Sequence, residues 1–230
     1  MTAAREPISR RERPAKPPLS RRWIVDTAVR IMREEGLEKV TMRRLAKELD
    51  TGPASLYVYV ANTAELHAAV LDRLLGEVDL RGEDGIGWRD QLVGVLTSYT
   101  SVLFAHPQLA RSALVARPSG ENYLNLVERI LSLLARSGAP RAQVAWGVDK
   151  LLQDATATAA EQATHERNPA AKDDWNALTR ALHGVDETTH PAIEAHIPDL
   201  LTGTGGGRLA WGIDVLVNGI TQTPVPDTED

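Results

Sequence analysis

Apolar residues recur along this chain at three- and four-residue steps, the period of one helix face, and no stretch keeps the two-residue alternation of a strand. Ile24, Ala28, Ile31 and Met32 make the first stripe. Ser20 is placed to cap that helix, Leu19 and Ile24 stand in hydrophobic-staple positions, and Gly36 ends it. Met42, Leu45, Ala46 and Leu49 make a second stripe, capped by Thr41 and stopped at Asp50-Thr51-Gly52. Pro53 then opens a third, short helix to Val60, because a first-turn residue needs no backbone N–H. Leu56 and Val60 turn inward from it, leaving Pro53, Ala54, Ser55, Tyr57 and Tyr59 exposed. A longer amphipathic helix starts at Asn62, where N-T-A-E has the spacing of a capping box, and carries Leu66, Val70, Leu71, Leu74 and Leu75.

The Gly-rich segment 81–87 breaks the chain before a helix from Trp88 through Leu92, Leu96, Tyr99 and Leu103, which His106-Pro107 ends. A shorter apolar piece holds Leu109, Ala113 and Leu114 and runs to Arg117-Pro118. Ser119 is the expected cap of the next helix, with Tyr123, Leu126, Ile130 and Leu134, closed by Gly138. From Pro140 to about Glu166 comes the longest helical stretch, expected at the centre of the body. A polar region at 168–174 precedes short helices over 175–182 and 191–201, then a flexible loop at 203–207 and a last helix over 208–220. The glycine loop lacks the Lys-Ser/Thr ending of a phosphate-binding loop. The predicted fold class is all-α.

Composition narrows the chemistry. The 230 residues include no cysteine, which removes disulfides, Cys-containing zinc sites and thiol nucleophiles. No apolar run reaches membrane-spanning length and the N-terminus lacks a signal-peptide core, so a soluble, cytoplasmic protein is expected. The net charge of −5 is uneven: residues 1–63 hold 13 Lys+Arg against 8 Asp+Glu, so the remainder is strongly acidic. A basic head on an acidic body is the distribution of a DNA-reading domain attached to a body kept off the phosphates. Residues 1–19 combine Arg5, Arg10, Arg11, Arg13 and Lys16 with four prolines and read as a disordered arm, either a solvated tail or a grip on phosphate.

The helix pair over 41–63 has a helix-turn-helix plan. Its sequence, M-R-R-L-A, a short turn, then S-L-Y-V-Y-V-A-N-T, resembles the TetR-type (tetracycline-repressor-like) transcriptional regulators. W-R-D-Q-L, A-R-P-S-G-E-N-Y and R-L-A-W-G-I-D-V-L-V-N-G-I follow in the order of that family's regulatory domain. The resemblance implies an arm (1–19), a three-helix DNA-binding domain (20–66), a helical effector-binding and dimerisation domain (67–223) and a disordered tail (224–230). It implies a homodimer paired through 140–166 and 208–220, acting as a ligand-released repressor on a near-palindromic duplex operator; a ligand-independent regulator or an activator is the alternative within the same family. Thr41, Arg43, Arg44, Pro53, Ala54, Ser55, Tyr57, Tyr59 and Thr63 are the implied DNA contacts. Tyr99, Leu103, Arg117, Leu126, Arg129 and Trp146 are the implied wall of the effector pocket. Ala113 stands where tetracycline-responsive members place a metal-binding histidine, and Val95 replaces a drug-holding amide, so no metal or other cofactor is expected.

Two other classes compete. An all-α enzyme could draw on His106, His165, His183, His190 and His196, but Glu161 and His165 are four apart, not the Glu-x-x-His of a di-iron bundle, and no His-Glu-x-x-His occurs. A helical scaffold accounts for the body and leaves the basic arm and the exposed tyrosines without a use.

Overall fold

A computed structural model describes residues 18–114, 118–165 and 170–226; most of the expected arm, the end of the tail and Arg117 lie outside them. Among the described residues all regular structure is helical, in one short 3-10 helix (Leu37–Lys39) and eleven α-helices: α1 (Arg21–Glu35), α2 (Met42–Glu48), α3 (Pro53–Leu56), α4 (Thr63–Leu75), α5 (Trp88–Ala105), α6 (Pro107–Ala113), α7 (Glu121–Ala135), α8 (Arg141–His165), α9 (Ala171–His183), α10 (Pro191–Leu200) and α11 (Gly205–Gln222). The helix starts in the head are set by local side chains. Ser20 Oγ accepts the Trp23 N–H at 3.2 Å, Thr41 Oγ1 accepts that of Arg44 at 3.2 Å, and Asn62 Oδ1 accepts that of Glu65 at 2.9 Å. Each such cap is worth about 1 kcal/mol. Glu65 returns its carboxylate to the Ala61 N–H at 2.7 Å, one residue earlier than a standard capping box.

In the head, α1 to α3 enclose fully buried Ile24, Ala28, Ile31, Leu45 and Leu56, joined by Leu66 of α4. Truncating a leucine there to alanine would cost about 2–5 kcal/mol. Helix α4 also packs against α6 and α7, so it belongs to head and body at once, and the expected boundary at 66/67 falls within it. Arg73 with Asp26 (2.9 Å) ties its C-terminal half to α1, and Arg33 with Glu77 (2.6 Å) ties down the turn that follows. In the body, α8 packs against α5, α6, α7 and α11, around buried Leu92, Leu96, Ile130, Leu133, Leu151 and Ala159. A Cβ at Gly147 would lie 2.6 Å from Ile220 Cγ2, so glycine is what permits the close crossing of α8 and α11. Helices α9 and α10 pack on each other with no buried residue, leaving Trp175 and Leu178 exposed.

Four boundaries differ from expectation. The third helix ends at Leu56 and not at Val60; residues 57–60 continue as turns, with the Tyr59 and Val60 N–H groups both donating to Leu56 O. Tyr57, Val58 and Tyr59 are aromatic or β-branched and prolong a four-residue helix poorly. Helix α9 begins at Ala171, within the supposed polar region, because Asp173 and Asp174 stabilise its positive first turn. The glycines at 205–207 are helical: Thr204 Oγ1 accepts the Gly207 N–H, and the Arg208 guanidinium holds Leu200 O and Thr202 O at 2.9 and 2.6 Å. Finally, Ser119 does not cap α7; Gly120 occupies the cap position and the capping oxygen comes from Asp72 of α4, which accepts the Tyr123 N–H at 2.9 Å.

Candidate functional site

The exposed face of the helix pair is produced by what is buried beneath it. Leu49, Leu56 and Val60 are buried, which turns Pro53, Ala54, Ser55 and Tyr57 to solvent. Asp50 takes a positive φ of 48° in the turn, and the Thr51 N–H reaches back to Ala46 O, setting the direction in which α3 departs. Tyr57 is 53% exposed and Val58 81% exposed, whereas Tyr59 is partly buried and packs against the head core. Val58 was not singled out by sequence reasoning; its position between two tyrosines, out of step with Leu56 and Val60, was the available signal. Thr63 is exposed at the start of α4, and the Thr41 hydroxyl is engaged in its cap.

The two adjacent arginines of α2 differ. Arg43 is exposed and has no charge partner among the described residues. Arg44 is held between Glu35 of α1, with Nη2 to Oε1 at 2.5 Å, and Glu48 of α2, with Nη1 to Oε2 at 2.6 Å. These bonds push its pKa up and hold both carboxylates below the usual carboxylate range.

In the body, Leu71 of α4, Tyr99 of α5, Ala113 of α6, Leu114, Pro118, Tyr123 of α7 and Asp149, Leu152, Gln153 and Thr156 of α8 surround a cleft of about 130 Å³. The Thr156 hydroxyl donates to Leu152 O at 2.6 Å, so the Tyr99 hydroxyl, 2.6 Å from Thr156 Oγ1, is the donor of that pair. Burial pushes the Tyr99 phenol up, which keeps it protonated for this role. Of the residues expected in the pocket wall, Tyr99 lines this cleft. Leu103 and Leu126 are buried elsewhere in the core, Arg129 donates to Gln91 Oε1 at 2.6 Å, and Trp146 is 54% exposed. Asp149, Leu152, Gln153 and Thr156 share one face of α8 at three- and four-residue steps, a run that sequence reasoning did not isolate. A larger cleft of about 380 Å³ between α1 and α4 is walled by Asp26, Arg30, Arg33, Glu34, Arg73 and Glu77. Its charged groups satisfy one another, so it has no convergent groups left to orient a ligand. No group of three or more His, Asp or Glu among the described residues could hold a metal ion, and no described helix is long and apolar enough to cross a membrane.

Known proteins match this arrangement along most of the chain. Residues 24–70 match the bacterial regulatory proteins of the tetR family, and residues 81–223 match the tetracyclin repressor-like C-terminal domain. The solved structure of SCO7704 from Streptomyces is 74% identical, covers 93% of this chain and 100% of its own, and superposes with a TM-score of 0.77. ActR of Streptomyces coelicolor, solved in complex with actinorhodin, is 32% identical, with 89% of this chain and 96% of its own covered and a TM-score of 0.78. An HTH-type transcriptional regulator of Saccharopolyspora erythraea is 34% identical over 129 residues, 56% of this chain and 55% of that protein's length. The chain belongs to the TetR family of bacterial regulatory proteins, which are DNA-binding transcriptional regulators and not enzymes.

Proposed function

We propose that this regulator is a cytoplasmic homodimeric repressor, released from a near-palindromic operator by a small organic effector. The observation that carries the DNA reading is the exposed segment Pro53, Ala54, Ser55, Tyr57 and Val58 standing over buried Leu56 and Val60, with unpaired Arg43 on the preceding helix. Inserted in a major groove, Val58 and Tyr57 can meet a thymine methyl or phosphate, and Arg43 a guanine edge or phosphate. Thr41 and Thr63, at two helix starts, and the partly buried Tyr59 flank this surface. A two-fold dimer places its two reading segments on half-sites roughly 34 Å or a little more apart.

The dimer reading is supported by α8 and α11, which pack together and leave Trp146, Trp211 and Val215 exposed at 54%, 70% and 46%. Burying such aromatic surface on a second copy is the favourable outcome for a soluble chain. The effector reading is supported by the Tyr99 cleft and by ActR, a relative that binds actinorhodin. Drug-sized pockets run from roughly 300 Å³ upward. The cleft is smaller, so an effector of that size has to widen it, and Leu71 is the wall residue that α4 contributes.

Gel shift with fragments of the DNA upstream of the protein's own gene tests the first part: Arg43→Ala and Tyr57→Ala should each weaken the shifted complex, and no change in either refutes the assigned reading surface. A thermal-shift screen followed by gel shift tests the second. A compound that raises the melting midpoint should also dissociate the DNA complex, and a broad library without such a compound rejects effector control while leaving DNA reading intact.

A further inference from the structure

Arg44 sits beside Arg43 in the motif and carries the same charge, but its surroundings assign it a different task. Its planar fork is engaged: Nε faces both oxygens of Glu35 at 3.2 and 3.3 Å, Nη2 donates to Glu35 Oε1, and Nη1 donates to Glu48 Oε2. The other oxygen of Glu48 is held by Arg30 Nη2 at 2.5 Å, and Arg30 Nη1 reaches Glu34 at 3.1 Å. The side chains therefore alternate in charge from Glu34 through Arg30, Glu48 and Arg44 to Glu35, and cross between α1 and α2 twice.

Three consequences follow. The cluster holds three carboxylates and two guanidinium groups, so its net charge is negative and it repels a phosphate. Drawing Arg44 to DNA would also leave Glu35 and half of Glu48 uncompensated beside the phosphates. And α2 has only seven residues, seated on α1 through apolar side chains, a contact that resists separation better than rotation. Directional bonds at both ends of the Arg44 fork fix that rotation.

We propose that Arg44 is a positioning residue that locks α2 onto the end of α1 and so sets the angle at which the Pro53–Val58 segment meets the groove, without touching DNA itself. The proposal rests on that segment being the reader. If the reader assignment fails, Arg43→Ala and Tyr57→Ala are silent; if only the present proposal fails, they remain effective.

The test compares wild type, Arg44→Ala, Arg44→Lys and the double variant Glu35→Gln/Glu48→Gln by fluorescence anisotropy. Each is titrated with the shifted upstream DNA and with a scrambled duplex across a salt series. For Arg44→Ala, Arg44→Lys and the Glu double variant, the ratio of operator to scrambled-duplex affinity should fall by roughly threefold to tenfold, as for coupled neighbours. Combining Arg44→Ala with the Glu double variant should lower it no further. The salt slopes of Arg44→Ala and Arg44→Lys should equal that of wild type. A phosphate contact gives the opposite pattern, and either part of it overturns the proposal. Arg44→Ala would flatten the slope by about 0.9 per lost contact while Arg44→Lys retained it. Alternatively, freeing Arg44 with the Glu double variant would preserve or raise the ratio. Arg44→Lys keeps the charge and most of the bulk, so it carries the test where Arg44→Ala fails to fold.

Discussion

Gly120→Ala should destabilise this protein even though alanine suits the backbone there. Gly120 has φ −84° and ψ 175°, open to any residue, and at such a position Gly→Ala normally stabilises by about 0.4–1 kcal/mol through the unfolded chain. Here an added Cβ would lie 2.1 Å from Asp72 Oδ2 and 2.2 Å from Asp72 Cγ. The carboxylate must swing away, giving up the Tyr123 N–H at 2.9 Å and the weaker contact with Asn122 Nδ2 at 3.4 Å. A hydrogen bond to a charged group is worth about 1.5–3 kcal/mol, so the net loss is about 1–2 kcal/mol. For a chain of this size that lowers the thermal midpoint by roughly 2–8 °C, measured at fixed protein concentration because any self-association shifts the midpoint. The same substitution in an Asp72→Ala background meets no carboxylate and should stabilise. A Gly120→Ala effect of the same sign in both backgrounds would refute the assignment of Asp72 as the cap of α7.

The remaining expectations address charge, assembly and pH. Residues 1–18 carry five basic and two acidic side chains, so their removal should flatten the slope of log affinity against log salt; equal slopes make the arm a passive tail. Trp211→Asp puts a charge in place of the exposed aromatic of α11 and should shift light-scattering mass to the monomer, with loss of operator binding; an unchanged dimer rejects the α8–α11 interface. Burial holds the His106 imidazole below its ordinary value of 6.5, with neighbouring Glu77 raising it and Arg33 lowering it. The fold thus favours neutral His106, a contribution present above about pH 6.5 and lost as pH falls through the lower folded-state value. Thermal midpoints between pH 7.5 and 5 should decline less in His106→Gln than in wild type, and parallel curves would exclude the histidine.

The head was legible because its determinants are local. Thr41, Asn62, Gly36 and Pro53 each act within four residues of their own position, so spacing alone identifies the caps and stops. The Arg44–Glu48 pair at i,i+4 was also readable, yet the partner that decides its role, Glu35, is nine residues away around a turn. In the body the relevant distances are longer. Asp72 caps a helix whose first-turn N–H lies 51 residues later, and Arg129 meets Gln91 across 38. The cleft wall draws on five helices, and periodicity cannot tell which inward position faces a void and which faces packing. Tyr99, Leu103 and Leu126 lie on similar apolar stripes and the family resemblance groups them together, yet Tyr99 lines the cleft while the two leucines lie deeper. Trp146 reads as core by residue type and lies at the surface, because no described element covers its side of α8.

Helix α4 is where these two scales meet. Successive residues on a helix point about 100° apart, so Leu71, Asp72 and Arg73 address three different neighbours. Leu71 forms part of the cleft wall, Asp72 caps α7, and Arg73 pairs with Asp26 of the head. On the ligand-release reading proposed above, a complete switch from 1:99 to 99:1 needs about 5.5 kcal/mol of differential effector affinity. Breaking the Asp72 cap would cost about 1.5–3 kcal/mol, which adds to what the effector has to supply. That affinity has to come from contacts that exist only when the cleft is widened, and Leu71 is the residue that α4 contributes to the wall. An effector that filled the cleft as it stands, without displacing Leu71, would bind both states alike and leave the protein on its operator.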